Sequence, residues 1–129
     1  MPKSKKVVLD TNFLLIPGQF KVDIFSELDR VCQFAYTLYV LDMTRNELEN
    51  IIQKQRGKQK EAAKLALALV KAKNINTLPS ASKNVDDALV ALADKDTFIA
   101  TQDVVLKRRL KGKVGGIITL RQKKYLIIS

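Results

Sequence analysis

A chain of 129 residues and 14.5 kDa, 47% of it hydrophobic, is long enough for a single domain over residues 1–129 that buries an ordinary core without staples. The lone Cys32 excludes an intrachain disulfide and a cysteine-rich zinc site, and the absence of histidine removes imidazole bases, Ser-His-Asp and Cys-His nucleophiles and imidazole metal sites. The net charge of +10 is lopsided: residues 104–129 hold eight basic side chains and no acidic one, and residues 1–103 hold 15 basic and all 13 acidic ones.

In chain order, Val7-Val8-Leu9 predicts a compact strand ended by Asp10-Thr11-Asn12. Residues 23–32 read as a helix with Ile24, Leu28 and Val31 on one face, and residues 35–41 as a second strand. A helix opens at Thr44 and runs past Ile52; another covers residues 59–73 after the break at Arg56-Gly57-Lys58. Residues 75–78 form a third strand stopped by Pro79-Ser80, and residues 84–94 a helix. Residues 97–101 give a fourth strand, residues 104–111 a short basic helix, and residues 117–120 the last strand, with an extra one at 125–128. Strands alternating with helices predict a parallel sheet covered on both faces. No run approaches 18 consecutive apolar residues and no signal peptide is evident, so a cytoplasmic protein with no membrane partner is expected. The concentrated positive charge points to a polyanion, RNA or DNA, against the plainer reading of a solubilising face.

In open parallel sheets, ligands bind at the carboxyl ends of the strands. Asp10 follows the first strand, Glu47 lies in the first turn of the helix after the second, Asp86 and Asp87 open the helix beginning near Asn84, and Asp103 follows the fourth strand. Each has a structural alternative. Thr44 and Glu47 match a capping box, Asn84 and Asp87 a weaker one, Asp86 favours a helix dipole, and Asp10 and Asp103 suit helix caps or turns. Together, acids gathered on one edge repel one another unless a cation sits among them. Mg²⁺ and Mn²⁺ prefer carboxylate oxygens.

Val7-Val8-Leu9-Asp10-Thr11-Asn12, Asn46-Glu47-Leu48, Val85-Asp86-Asp87-Ala88-Leu89-Val90-Ala91-Leu92-Ala93 and Phe98-Ile99-Ala100-Thr101-Gln102-Asp103 resemble, in order, the four motifs of PIN-domain nucleases. The stretch from Asp103 through Leu106, Lys107, Arg108 and Arg109 to Gly115 further resembles the branch that includes pre-ribosomal RNA processing factors. The resemblance implies a three-layer α/β/α, Rossmann-like fold with a five-stranded parallel sheet in order 3-2-1-4-5. It also implies a Mg²⁺ or Mn²⁺ site and endonuclease activity on single-stranded RNA, leaving a 5′-phosphate and a 3′-hydroxyl. Asp10, Glu47, Asp87 and Asp103 then take the catalytic, metal-holding positions. Thr11, Asn12 and Thr101 become secondary polar residues, as does Asp86 beside the buried stripe of Val85, Leu89 and Leu92. Lys107, Arg108, Arg109 and Lys111 would position the RNA backbone. Tyr36, Tyr39 and Tyr125 are the few stacking candidates.

Two related readings share the fold: a toxin-type PIN ribonuclease neutralised by an antitoxin, and an RNA-binding scaffold without turnover. Homodimers are common in the resembling family. A response-regulator receiver domain would need an Asp after the third strand, where Ile75-Asn76-Thr77-Leu78-Pro79 has none, and the glycine-rich nucleotide motifs are absent.

Overall fold

A computed structural model describes residues 4–129 of the chain. The Val-Val-Leu run lies in β1 (Lys5–Leu9), where all three side chains are fully buried. Successive side chains point to opposite faces of a strand, so a central strand covered on both sides must be apolar throughout. Val7 and Leu9 enter one core with Phe13, Leu28 and Leu48, and Val8 enters a second with Leu89, Ile99 and Leu106.

Around β1 the sheet adds β2 (Tyr36–Leu41), β3 (Asn76–Leu78), β4 (Thr97–Ala100) and β5 (Gly116–Arg121), all parallel. A sixth strand, β6 (Tyr125–Ile128), pairs antiparallel with β5, and the order is β3-β2-β1-β4-β5-β6. The parallel order 3-2-1-4-5 is therefore as the resemblance implied, with one antiparallel strand added at the edge.

Residues 11–20 carry no periodic pattern in the sequence, yet they form α1 (Thr11–Leu14) and α2 (Ile16–Phe20). Each is too short to display a repeat of 3.6 residues. Gly18 lets α2 approach α5 (Lys58–Ala72) closely, since a Cβ there would lie 2.5 Å from Ala62 Cα. Asp23 caps α3 (Ile24–Val31) by accepting from the Phe25 and Ser26 N–H groups. The helix expected from Thr44 begins earlier, as α4 (Asp42–Lys54). Helices α1 to α5 supply the first core. The second lies under α6 (Val85–Ala91) and α7 (Val104–Leu110). Helix α6 stops at Ala91, short of the expected 94.

Candidate active site

Asp10 sits where β1 gives way to α1, its N–H bonded to the Ala100 carbonyl of β4 at 2.9 Å. Its side chain caps α1. Oδ1 accepts from the Thr11 N–H at 2.8 Å and Oδ2 from the Thr101 hydroxyl at 2.7 Å. Only 6% of the residue is exposed. Burial holds its carboxyl above the usual range; the hydrogen bonds from Thr101 and Thr11 oppose that shift, and the charges of Asp86 and Glu47 add to it.

Thr101 is fully buried and works in both directions. While donating to Asp10 it accepts from the Asp103 N–H at 3.1 Å, so the first and fourth acids share one hydroxyl. Asp103 Oδ1 accepts from the Val105 and Leu106 N–H groups and caps α7, as the structural alternative anticipated. Asn12 ties the same turn down by accepting from the Gln102 N–H at 3.3 Å. Gln102 in turn accepts from the Leu120 N–H at 2.7 Å, pinning the turn to β5. Gln102 carried no functional signal in the sequence; a polar residue between Thr101 and Asp103 was the one clue.

Glu47 is not part of a capping box. Because α4 starts at Asp42, Thr44 is already inside the helix and buried, the cap position is Leu41, and Glu47 lies in the second turn. It faces α1 instead, where the Thr11 hydroxyl donates to Oε1. The Thr44 hydroxyl stands 3.4 Å from that of Thr11, a neighbour that sequence reading assigned only to helix capping.

The two adjacent acids of α6 part company. Asn84 caps the helix by accepting from the Asp87 N–H at 3.2 Å. Ala88 and Leu89 are buried against the sheet. At 100° per residue this leaves Asp87 on the far side of the helix and Asp86 on its flank. Asp87 is exposed and pairs with Arg109 Nη2 at 2.7 Å. Asp86 is half-buried; burial raises its pKa, the Asp103 charge adds to that, and Arg109 opposes it. The structure thus sets Asp86 in the field of Asp10 and Asp103 and turns Asp87, expected as the third acid, toward Arg109.

The basic side chains divide as well. Arg109 is taken up by Asp87, whereas Arg108 and Lys111 are exposed on the other flank of α7. Lys107 is half-buried, and burial followed by the nearby Arg121 lowers its pKa. All the donors at the acidic edge are carboxylate or hydroxyl oxygens, which suits a hard divalent cation. As they stand, no three carboxylates among the described residues are drawn together tightly enough to hold one ion.

Known proteins share this arrangement of strands. Residues 7–123 match the family described as PIN like domain. The chain is 30% identical over 125 residues to Ribonuclease VapC4 of Methanocaldococcus jannaschii, covering 95% of each chain. It is 32% identical over 116 residues to the rRNA-processing protein fcf1 of Schizosaccharomyces pombe, covering 86% of this chain and 55% of that one. Among solved structures, the PIN domain endonuclease Utp24 superposes with a TM-score of 0.74 at 23% identity, over 96% of this chain and 90% of that chain. With that match over residues 7–123 and the sheet order, the chain belongs to the PIN-like domain family.

Proposed function

We propose that this protein is an endoribonuclease that hydrolyses single-stranded RNA at the edge formed by Asp10, Glu47, Asp86 and Asp103, with Mg²⁺ or Mn²⁺ as cofactor. One observation carries the reading: Asp10 is buried, doubly hydrogen-bonded, and loaded with the charges of Asp86 and Glu47. Buried like charges persist at a cost, and a polar cluster of that kind is the usual mark of a functional site. The names of the relatives support RNA as substrate.

Asp10 and Asp103, coupled through the Thr101 hydroxyl, would hold the ion together with Glu47 and Asp86. When bound, a divalent ion supplies positive charge to the scissile phosphate and lowers the pKa of a coordinated water. The chain's own part is orientation. Thr101 and the Thr11 N–H fix both oxygens of Asp10, and the Thr11 hydroxyl aims Glu47. With no histidine present, a carboxylate must take any proton that the protein itself accepts at the edge. Hydrolysis along this path leaves a 5′-phosphate and a 3′-hydroxyl.

Ribosomal RNA is the favoured substrate because the fcf1 relative is named for its processing. The toxin-type reading has its own support, since the match to VapC4 spans 95% of that chain against 55% for fcf1. The test is cleavage of end-labelled single-stranded RNA with Mn²⁺. Wild type should cut, leaving 5′-phosphate ends, and a chelator should stop it. Asp10→Asn and Asp86→Asn should each lose roughly 100-fold or more, the upper range for loss of a group at a metal site, and Asp87→Asn less than tenfold. Undiminished cleavage by Asp10→Asn would overturn the proposal, and a larger loss in Asp87→Asn than in Asp86→Asn would restore Asp87 to the acid set.

A further inference from the structure

The basic side chains of α7 are not equivalent, and their division marks out a second feature beside the acidic edge. Val104, Lys107, Arg108 and Lys111 recur at i, i+3, i+4 and i+7, so they form one stripe along the helix. That stripe is one wall of a groove of about 460 Å³, whose other wall is the start of β5 at Gly116 and Ile117. Small-molecule sites span roughly 300–1,000 Å³, so the groove is sized for a single nucleotide rather than a folded partner. Its charged side chains have one sign. Among the described residues Lys107, Arg108 and Lys111 form no salt bridge, whereas Arg109, on the opposite flank, is neutralised by Asp87.

We propose that this groove is a nucleotide subsite, holding one residue of a single-stranded RNA whose scissile phosphate lies at the acidic edge; the proposal rests on the ribonuclease reading above. Helix α7 joins the two places. Asp103 caps its N-terminus at the edge, and its seven residues run about 10 Å to Lys111 at the far end of the groove. Lys107 and Lys111 act as point charges for the flanking phosphates, and the planar Arg108 guanidinium covers a base face. Val104 and Ile117 supply apolar contact in a protein with few aromatic residues. Lys107 is half-buried near Arg121, and a phosphate placed beside it would offset that like charge.

The experiment uses the full chain, ¹⁵N-labelled and held in chelator so that nothing is cut. Uridine monophosphate and a uridine decamer are titrated in, and amide shifts are mapped. Shifts should concentrate at Val104, Lys111, Gly116 and Ile117. The double variant Arg108→Glu, Lys111→Glu should bind the decamer at least tenfold more weakly. Its plot of log affinity against log salt should flatten by about 1.4 units, at roughly 0.7 per phosphate contact. Lys54→Glu, Lys58→Glu makes the same charge change at the α4–α5 junction and should stay within twofold of wild type. Equal weakening in both double variants, shifts centred elsewhere, or tighter binding of hexaglutamate than of the decamer at the same amides would overturn the proposal. The last result would assign the groove to an acidic peptide. Because binding is read without cleavage, a wild type that binds here but never cuts would count against the ribonuclease reading and leave the groove standing.

Discussion

At the scale of single residues, Asp10 sets a trade between stability and site. Its folded-state pKa lies above the unfolded one, chiefly through burial, so folding favours the protonated form. The ionised carboxylate therefore costs stability at neutral pH, and the cost fades as pH falls through the raised value toward the usual range. Asp10→Asn keeps the shape and removes the charge. In chelator at pH 7 the variant should melt above wild type by about 2–5 °C, as expected for relief on the order of 1 kcal/mol in a domain of this size. The gap should close as the pH is lowered toward 4 in thermal melts. A variant that melts below wild type at both pH values would show that Asp10 is a structural cap first. That Asp10, Glu47 and Asp103 lie near one edge was legible from sequence, because an acid directly after a strand or inside the following helix faces that edge. Which of Asp86 and Asp87 turns toward them was not. The two differ by 100° of rotation, and the packing of Ala88 and Leu89, not the motif, sets the phase of α6.

At the scale of elements, the outer edge of β6 shows how the added strand is held. Leu126 turns its N–H and carbonyl outward, where an unpaired edge would template aggregation. Helix α3 covers both. The Leu126 N–H donates to Glu27 Oε1 at 2.9 Å and Arg30 Nη2 donates to the Leu126 carbonyl at 2.8 Å, with Glu27 and Arg30 paired to each other. The Arg30 bond, then the Leu126 N–H, hold the Glu27 carboxyl below its ordinary value. A lowered folded-state pKa means that this support is present above the unfolded value and is lost as pH falls through the folded one. Glu27→Ala should raise the exchange rate of the Leu126 amide about five- to tenfold at pH 7, the worth of an ordinary, solvent-screened hydrogen bond at ~1–1.5 kcal/mol. The difference from wild type should disappear as the pH falls through the lowered folded-state value. Unchanged protection would mean that pairing with β5 alone holds the strand. The strand itself was readable in Tyr125 to Ile128, but its cover was not, since no local pattern ties Glu27 and Arg30 to a strand so far along the chain.

At the scale of the whole molecule, an alternating strand and helix pattern was enough to foresee a parallel sheet covered on both faces, because parallel strands need crossovers, while the order 3-2-1-4-5 came from the resemblance alone. Net charge foresaw less. A value of +10 does not say that Arg109 is spent on Asp87 while its neighbours face a groove. The fold gathers the acids that follow β1 and lie on α4, α6 and the β4–α7 turn at one edge, and the cationic stripe of α7 runs from that edge toward the start of β5. The central claim is that those acids act as one cation-binding unit, and a thermal melt with and without Mn²⁺ tests it most directly. An ion that binds only the folded state at 100 times its dissociation constant stabilises by about 2.7 kcal/mol. Wild type should therefore gain several degrees with Mn²⁺, and the double variant Asp10→Asn, Asp103→Asn should gain none. An equal gain in that variant, or none in wild type, would contradict the account.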